Sequence, residues 1–155
     1  MATTPQNNLV RVVGAYKTLP YPVDMAGSHD FNAGDMLCYD GTQLVAATDG
    51  AAATFVGVAQ DSAALNVYGT KVYQPQMNAI IGQLHSMKAT VGDSIAHMTA
   101  VYVGADAQTV VVADPGSHKA IGYIVLRAGQ AAFTAVAGSL VDVLIIPQLP
   151  YAGVA

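Results

Sequence analysis

The chain has 155 residues, of which 53% are hydrophobic and only 10% are charged, and its formal net charge at pH 7 is −4. A single domain of this length can bury a sufficient hydrophobic core without disulfides or structural metals. The chain has one cysteine, Cys38, which excludes an intrachain disulfide. The six basic residues are scattered along the sequence, so no basic patch for binding nucleic acid is predicted. No apolar run approaches the length of a membrane-spanning helix.

The acidic residues indicate a chain made of strands and turns. All ten are aspartates, which favour turns because the short carboxylate reaches nearby backbone N–H groups, and glutamate, a good helix former, is absent. Several stand beside glycine or proline, as in Asp40-Gly41, Asp49-Gly50 and Asp114-Pro115-Gly116. The apolar excess is mostly alanine and valine, which suits flat contacts, so we expect part of the surface to be covered by partners.

The N-terminal 30 residues are predicted to be an extended arm that contains a first strand. Residues 1–8 are polar, and Leu9–Val13 has a strand-like composition. Pro20 and Pro22 withhold backbone donors, so the segment around them is predicted to lie extended on a surface and not in the centre of a sheet. No signal peptide is recognisable, and we therefore expect synthesis in a cytoplasm.

Residues 31–155 are predicted to be one β-domain. Strands are expected near residues 35–39, 43–47, 54–60, 70–74, 78–83, 94–98, 109–113, 119–127 and 141–146. Two stretches, 61–65 and 129–139, are ambiguous and could form short helices.

An internal repeat organises this domain. Gly34-Asp35-Met36-Leu37 returns as Gly92-Asp93-Ser94-Ile95, and the strand around Gly57 is matched by the strand around Gly122. The repeat predicts two related β-modules, at about 31–77 and 89–149, forming a small barrel-like or β-clip-like domain. The two strand glycines are expected to mark a bulge or a close backbone approach.

No catalytic, cofactor or metal site is predicted, and the chain is not expected to be an enzyme. Ser28-His29-Asp30 has triad residue types, but adjacent residues point to opposite sides and triads are assembled from distant positions. His85 and His97 are isolated and lack a metal-ligand spacing. Phosphate-binding loops and nucleophile elbows are absent from the sequence.

Several motifs together resemble the capsid decoration, or cement, proteins of tailed bacteriophages. These are Ala33–Leu37, Gln43–Ala47, Phe55–Gln60 and the valine-rich strand Val141–Ile146, and the resemblance extends over residues 31–146. It implies a homotrimer that binds the major capsid protein on the outside of the virion and stabilises the shell. By the same analogy, the capsid contacts would come from the arm, at Leu9, Val10, Arg11, Tyr16 and Tyr21.

Two other functions remain open. The eight tyrosines would suit a phage head-fibre or tail-associated module that binds carbohydrate or a receptor. A trimeric nucleotide-processing hydrolase resembles the decoration fold in shape. It would need an ordered set of acids with a phosphate-holding serine or arginine, and the sequence has no such motif.

Overall fold

The computed structural model describes residues 17–47, 55–116 and 119–146. Within these ranges the chain forms fourteen strands and no helix, which confirms the predicted all-β class. In chain order they are β1 (Lys17–Pro22), β2 (Met36–Tyr39), β3 (Leu44–Ala46), β4 (Phe55–Ala59), β5 (Ala64–Val67), β6 (Thr70–Tyr73), β7 (Gln76–Ile81), β8 (Leu84–Ala89), β9 (Ser94–Ile95), β10 (Ala100–Val103), β11 (Thr109–Val111), β12 (Gly122–Ile124), β13 (Phe133–Thr134) and β14 (Leu140–Ile145).

Ten of these strands form two five-stranded arrangements. The first is an open sheet of order β1-β7-β4-β2-β3, in which every neighbouring pair is antiparallel. The second is a closed barrel of order β8-β14-β12-β10-β11, in which β11 returns to pair in parallel with β8. The pairs β5–β6 and β9–β13 form separate two-stranded ribbons. The small barrel expected from the sequence is therefore formed by the second half of the chain.

Backbone hydrogen bonds show that the two halves follow one plan. Three N–H to carbonyl hydrogen bonds of the first half have an equivalent 64 to 66 residues later in the second half. The bond from Val23 to Pro75 is matched by that from Ala89 to Ser139, and the bond from Gln60 to Asn78 by that from Val125 to Asp142. The bond from Asp40 to Gln43 is matched by that from Gly104 to Thr109. Each bond is between 2.8 and 3.2 Å long. Strands β1, β2, β3, β4 and β7 thus correspond to β8, β10, β11, β12 and β14.

The turn at Gly34 occurs three times among the described residues. Each copy exchanges two backbone hydrogen bonds with one residue of another segment: Gly34-Asp35 with Ala59, Met98-Thr99 with Ile124, and Gly92-Asp93 with Ala135. The counterpart of Gly34 in the shared plan is Met98, which has the same left-handed backbone at φ 61°. The sequence repeat pairs Gly34 with Gly92, but Gly92 belongs to a third turn of this kind and is not the structural counterpart of Gly34.

Gly57 and Gly122 are equivalent positions where two backbones approach closely. A Cβ atom on Gly57 would lie 2.2 Å from the Ile80 carbonyl oxygen, and one on Gly122 would lie 2.4 Å from that of Leu144. Only glycine leaves room for these contacts. The predicted close approach is therefore present in both halves.

The open sheet contributes to two apolar cores. Met36 and Cys38 of β2 are buried in the core that also fills the barrel, whereas Leu37 between them packs in a second core with Leu44 and Tyr21. This alternation follows from the two-residue period of a strand. One face of the first sheet therefore packs in the core shared with the barrel, and the other packs in a core that also includes Val23, Phe31 and Ala63.

Several elements differ from the sequence-based expectations. Strands β8 and β10 were not predicted, and the two ambiguous stretches contribute to β5 and β13 instead of forming helices. Residues 17–22, placed in the arm, form β1 and pair with β7 at six positions. The predicted first strand, Leu9–Val13, lies outside the described residues.

Candidate interaction surface

Four of the five predicted capsid-contact residues, Leu9, Val10, Arg11 and Tyr16, lie outside the described residues. The fifth, Tyr21, is a core residue of β1 and is only 7% exposed. Its ring lies 5.5 Å from that of Tyr39, and its buried hydroxyl has no hydrogen-bond partner among the described residues. Burial raises the pKa of this phenol. Tyr21 therefore packs in the core of the described domain, and its capsid contact stays a prediction.

The triad residue types at 28–30 belong to an exposed turn that Asp24 organises. Its carboxylate accepts the backbone N–H groups of Ala26 at 2.9 Å, Ser28 at 2.8 Å and His29 at 3.2 Å. These bonds lower the pKa of Asp24, with the Ala26 N–H the largest cause. Asp30 forms an ion pair with Lys71. The described geometry gives these residues a role in the turn and brings no nucleophile to a base.

Among the described residues, the hairpin of β5 and β6 carries several exposed apolar side chains on one short element. Its strands pair over four positions and are joined by Tyr68 and Gly69, whose φ angles are 51° and 80°. Two consecutive left-handed residues define the type I′ turn, which matches the twist of paired strands. Asparagine and glycine are preferred there, and a tyrosine in this conformation costs about 1–2 kcal/mol. Tyr68 nevertheless occupies this position and is fully exposed at the tip.

The hairpin has two unlike faces. Side chains directly opposite each other share a face, so Asn66 lies with Lys71 and Leu65 lies with Val72. The Asn66–Lys71 side is turned toward the 24–30 turn, through the Lys71–Asp30 ion pair and the contact of Tyr73 with Gly27.

The other side, here named the hairpin face, presents Leu65, Val67 and Val72 to solvent. Their exposed fractions are 50%, 44% and 47%. Full burial of an aliphatic side chain is worth about 1.5–3 kcal/mol, so completing the burial of these three would contribute roughly 2–4 kcal/mol per copy. Counting Tyr68, four exposed apolar side chains lie on one ribbon, which makes this hairpin a candidate docking surface.

The sequence contains a local signal for this hairpin. Leu65 and Val67 alternate with polar positions before Tyr68-Gly69, and Val72 follows at the matching register. This is the pattern of a short hairpin. The aspartate at position 61 instead suggested a helix cap.

A second surface feature is an open cleft on the barrel, with a volume of about 590 Å³. Arg127 and Asp142 meet in it through a 2.8 Å hydrogen bond, and the Gln130 side-chain oxygen accepts the Arg127 backbone N–H at 3.2 Å. Phe133 and Leu140 form part of its apolar wall. The cleft therefore places the polar side chains of Arg127, Asp142 and Gln130 beside the aromatic ring of Phe133.

No group of three His, Cys, Asp or Glu residues that could hold a metal occurs in the described part of the chain. The same ranges contain no helix with the length and apolarity needed to cross a membrane. The sequence matches no protein-family model and no curated protein.

Proposed function

We propose that this protein is a structural virion component that binds the outside of a tailed-phage capsid as a decoration protein and stabilises the shell. The partner is the major capsid protein, and the docking unit is a homotrimer. The observation that carries the proposal is the hairpin face, an apolar side of the β5–β6 ribbon without charged groups, on a domain with very few charges. It supports docking and not catalysis.

Multivalency makes modest contacts sufficient. A face worth roughly 2–4 kcal/mol per copy would bind weakly as a monomer. Three linked copies on a symmetric lattice bind with a much higher effective affinity, because the second and third contacts are intramolecular. The shell gains resistance to rupture in proportion to the number of occupied sites.

Rupture of the shell tests this role directly. Heads of the encoding phage, prepared with and without the protein, would be heated and diluted into low ionic strength while DNA release is followed by dye binding. Heads that carry the protein should release DNA at a higher temperature, and adding the purified chain to bare heads should restore that temperature. Equal release temperatures for bare and complete heads would rule out the stabilising role.

The barrel cleft favours one alternative function, a head-fibre or tail-associated module that binds carbohydrate. Arg127, Asp142 and Gln130 offer polar groups beside the Phe133 ring. A glycan array with the purified chain separates the two functions. A decoration protein should give no signal there, whereas a receptor-binding module should give a signal that Asp142→Ala abolishes.

A further inference from the structure

The barrel cleft contains an arginine that is held in place from two sides. The Arg127 Nε donates its 2.8 Å hydrogen bond to Oδ2 of Asp142, whose side chain is only 12% exposed. The backbone of Arg127 is held by Gln130, whose N–H donates to the Arg127 carbonyl at 3.0 Å and whose side-chain oxygen accepts the Arg127 N–H. The Arg127 side chain is nevertheless 64% exposed. Because Asp142 engages Nε, the Nη1–Nη2 edge of the guanidinium is left for another partner.

Ser86 and Asp142 lie side by side at the base of the cleft. The two residues are directly opposite each other on β8 and β14, so their side chains share one face of the barrel. Ser86 is 8% exposed and lines the cleft, so the accessible part of its side chain opens into this cavity. A serine hydroxyl in this position is a hydrogen-bond donor for a ligand that the guanidinium also holds.

The first half of the chain shows that the shared plan does not require these polar groups. Pro20 and Asn78 lie directly opposite each other on β1 and β7, as Ser86 and Asp142 do on β8 and β14. The backbone bond to the Asn78 carbonyl is also the equivalent of the bond to the Asp142 carbonyl. Proline and asparagine are uncharged, and both are exposed. The ion pair and its cleft are therefore additions to the second half, which favours a role beyond folding.

The rest of the lining indicates which ligand fits. Lys88 follows Ser86 on the same face of β8 and lies directly opposite Leu140, so it brings a second cation beside the cleft. Arg127 and Lys88 together outnumber the one carboxylate of Asp142, on a chain whose net charge is −4. Five apolar side chains complete the walls, those of Val125, Leu126, Phe133, Leu140 and Val141. An anionic group on an apolar body matches this combination.

We propose that the cleft binds a carboxylate carried on an apolar group, with Arg127 as its anchor. The Nη1–Nη2 edge matches the two oxygens of a carboxylate in a bidentate pair. Ser86 donates a further hydrogen bond, and the apolar walls receive the body of the ligand. Asp142 is a positioning residue, which orients the guanidinium through Nε. Such a ligand has two sources, a free aliphatic acid or the C-terminal residue of a peptide chain.

This site is separate from the proposed docking surface. No residue of the hairpin face lines the cleft, and the tests below use the free protein without phage heads. Their failure would leave docking through the hairpin face untouched, and failure of docking would leave the cleft untouched.

A matched pair of ligands tests the carboxylate. The full chain is titrated with N-acetyl-leucine and with N-acetyl-leucinamide, while the Arg127 Nε–H signal is followed by nuclear magnetic resonance. The two compounds share one apolar group and differ in carboxylate against neutral amide. We expect the acid to bind at least about tenfold more tightly, because only the acid forms the charged bidentate pair. Equal binding of acid and amide, or binding of neither, would overturn the inference.

Three further compounds test the apolar body and separate the two sources. Acetate and glucuronate keep the carboxylate on a small or a polar body, and each should bind at least about tenfold more weakly than N-acetyl-leucine. Glucuronate binding as tightly as N-acetyl-leucine would overturn the inference in favour of an acidic sugar. Weaker binding of 4-methylpentanoate than of N-acetyl-leucine would identify a peptide terminus as the source, and equal binding would identify a free acid.

Variants at the cleft provide a readout that charge alone does not explain. Arg127→Gln should weaken binding of N-acetyl-leucine at least about tenfold, and Lys119→Gln, which removes one charge at an exposed position outside the lining, should not. Asp142→Ala makes the cleft more positive, so simple attraction would tighten binding. Loss of positioning should instead weaken it by about tenfold. Wild-type affinity in Arg127→Gln, or tighter binding in Asp142→Ala, would contradict these roles.

Discussion

The side-chain amide of Gln108 donates a 2.7 Å hydrogen bond to the carboxylate of Asp35, and both residues are buried. The two residues belong to different halves of the chain. The neighbouring backbone contributes a second link, because the Met36 N–H donates to the Ala107 carbonyl at 2.7 Å. This pair of bonds holds the open sheet against the barrel.

Removing the Gln108 amide should destabilise the protein. Gln108→Leu takes a donor from a buried carboxylate and should cost about 1–3 kcal/mol of unfolding free energy. Gln108→Glu should cost more, because it places a second carboxylate in hydrogen-bond range of Asp35. Urea denaturation at pH 7 measures both. Gln76→Leu, at an exposed glutamine of β7, is the control and should change stability by less than about 0.5 kcal/mol. A wild-type midpoint for Gln108→Glu would contradict this description of the link.

The two strand glycines should be equally intolerant of a methyl group. Gly57→Ala and Gly122→Ala each force a Cβ against a carbonyl oxygen, so each should destabilise by about 3 kcal/mol or more. Gly41→Ala is the control. No atom lies within 4 Å of its added Cβ, and only its φ of 99° opposes the change. Thermal melts should rank the two strand variants together and well below Gly41→Ala. A tolerated substitution at only one of the two would argue against equivalent roles.

The class of the fold was predictable because its signals are local. Aspartate beside glycine marks turns, and valine-rich runs mark strands such as β14. Strand β8 carries no such signal, because His85 takes an inward position where an apolar residue would be expected. The hydrogen bond between Asp35 and Gln108 could not be predicted from local patterns, because 73 residues separate the two in the chain. Likewise, the correspondence of β1 with β8 is visible only in the hydrogen-bond pattern.

Acid should destabilise the protein through His85. This imidazole is buried in the barrel, where Nε2 lies 3.0 Å from the Gly82 carbonyl and Nδ1 has no partner among the described residues. Burial lowers its pKa in the folded state. The unfolded chain therefore takes up a proton first as the pH falls below about 6.5, and stability declines there by up to about 1.4 kcal/mol per pH unit.

Urea midpoints between pH 7.5 and 5 measure this effect. His85→Gln keeps a donor for the Gly82 carbonyl but cannot titrate, so its stability should change less over the same range. Equal slopes for the two proteins would assign the acid sensitivity to other groups.

Tyr68 offers a prediction in which stability and docking change in opposite directions. Tyr68→Asn places a residue that accepts the left-handed conformation at the hairpin tip, and should raise stability by about 0.5–1 kcal/mol. The same change removes the exposed ring and should weaken binding to phage heads. Calorimetry and cosedimentation provide the two readouts. Tighter binding by the stabilised variant would show that the ring does not contact the shell.

Docking through the hairpin face can be measured by cosedimentation of matched variants with bare heads of the encoding phage. Leu65→Asp puts a charge on the hairpin face, whereas Asn66→Asp puts the same charge on the opposite side of the ribbon, directly across from Lys71. Both positions are exposed, so both variants should fold as the wild type does. We expect Leu65→Asp to reduce the bound fraction at least about tenfold, with Asn66→Asp close to wild type. Equal binding by wild type and Leu65→Asp would show that the hairpin face does not contact the shell.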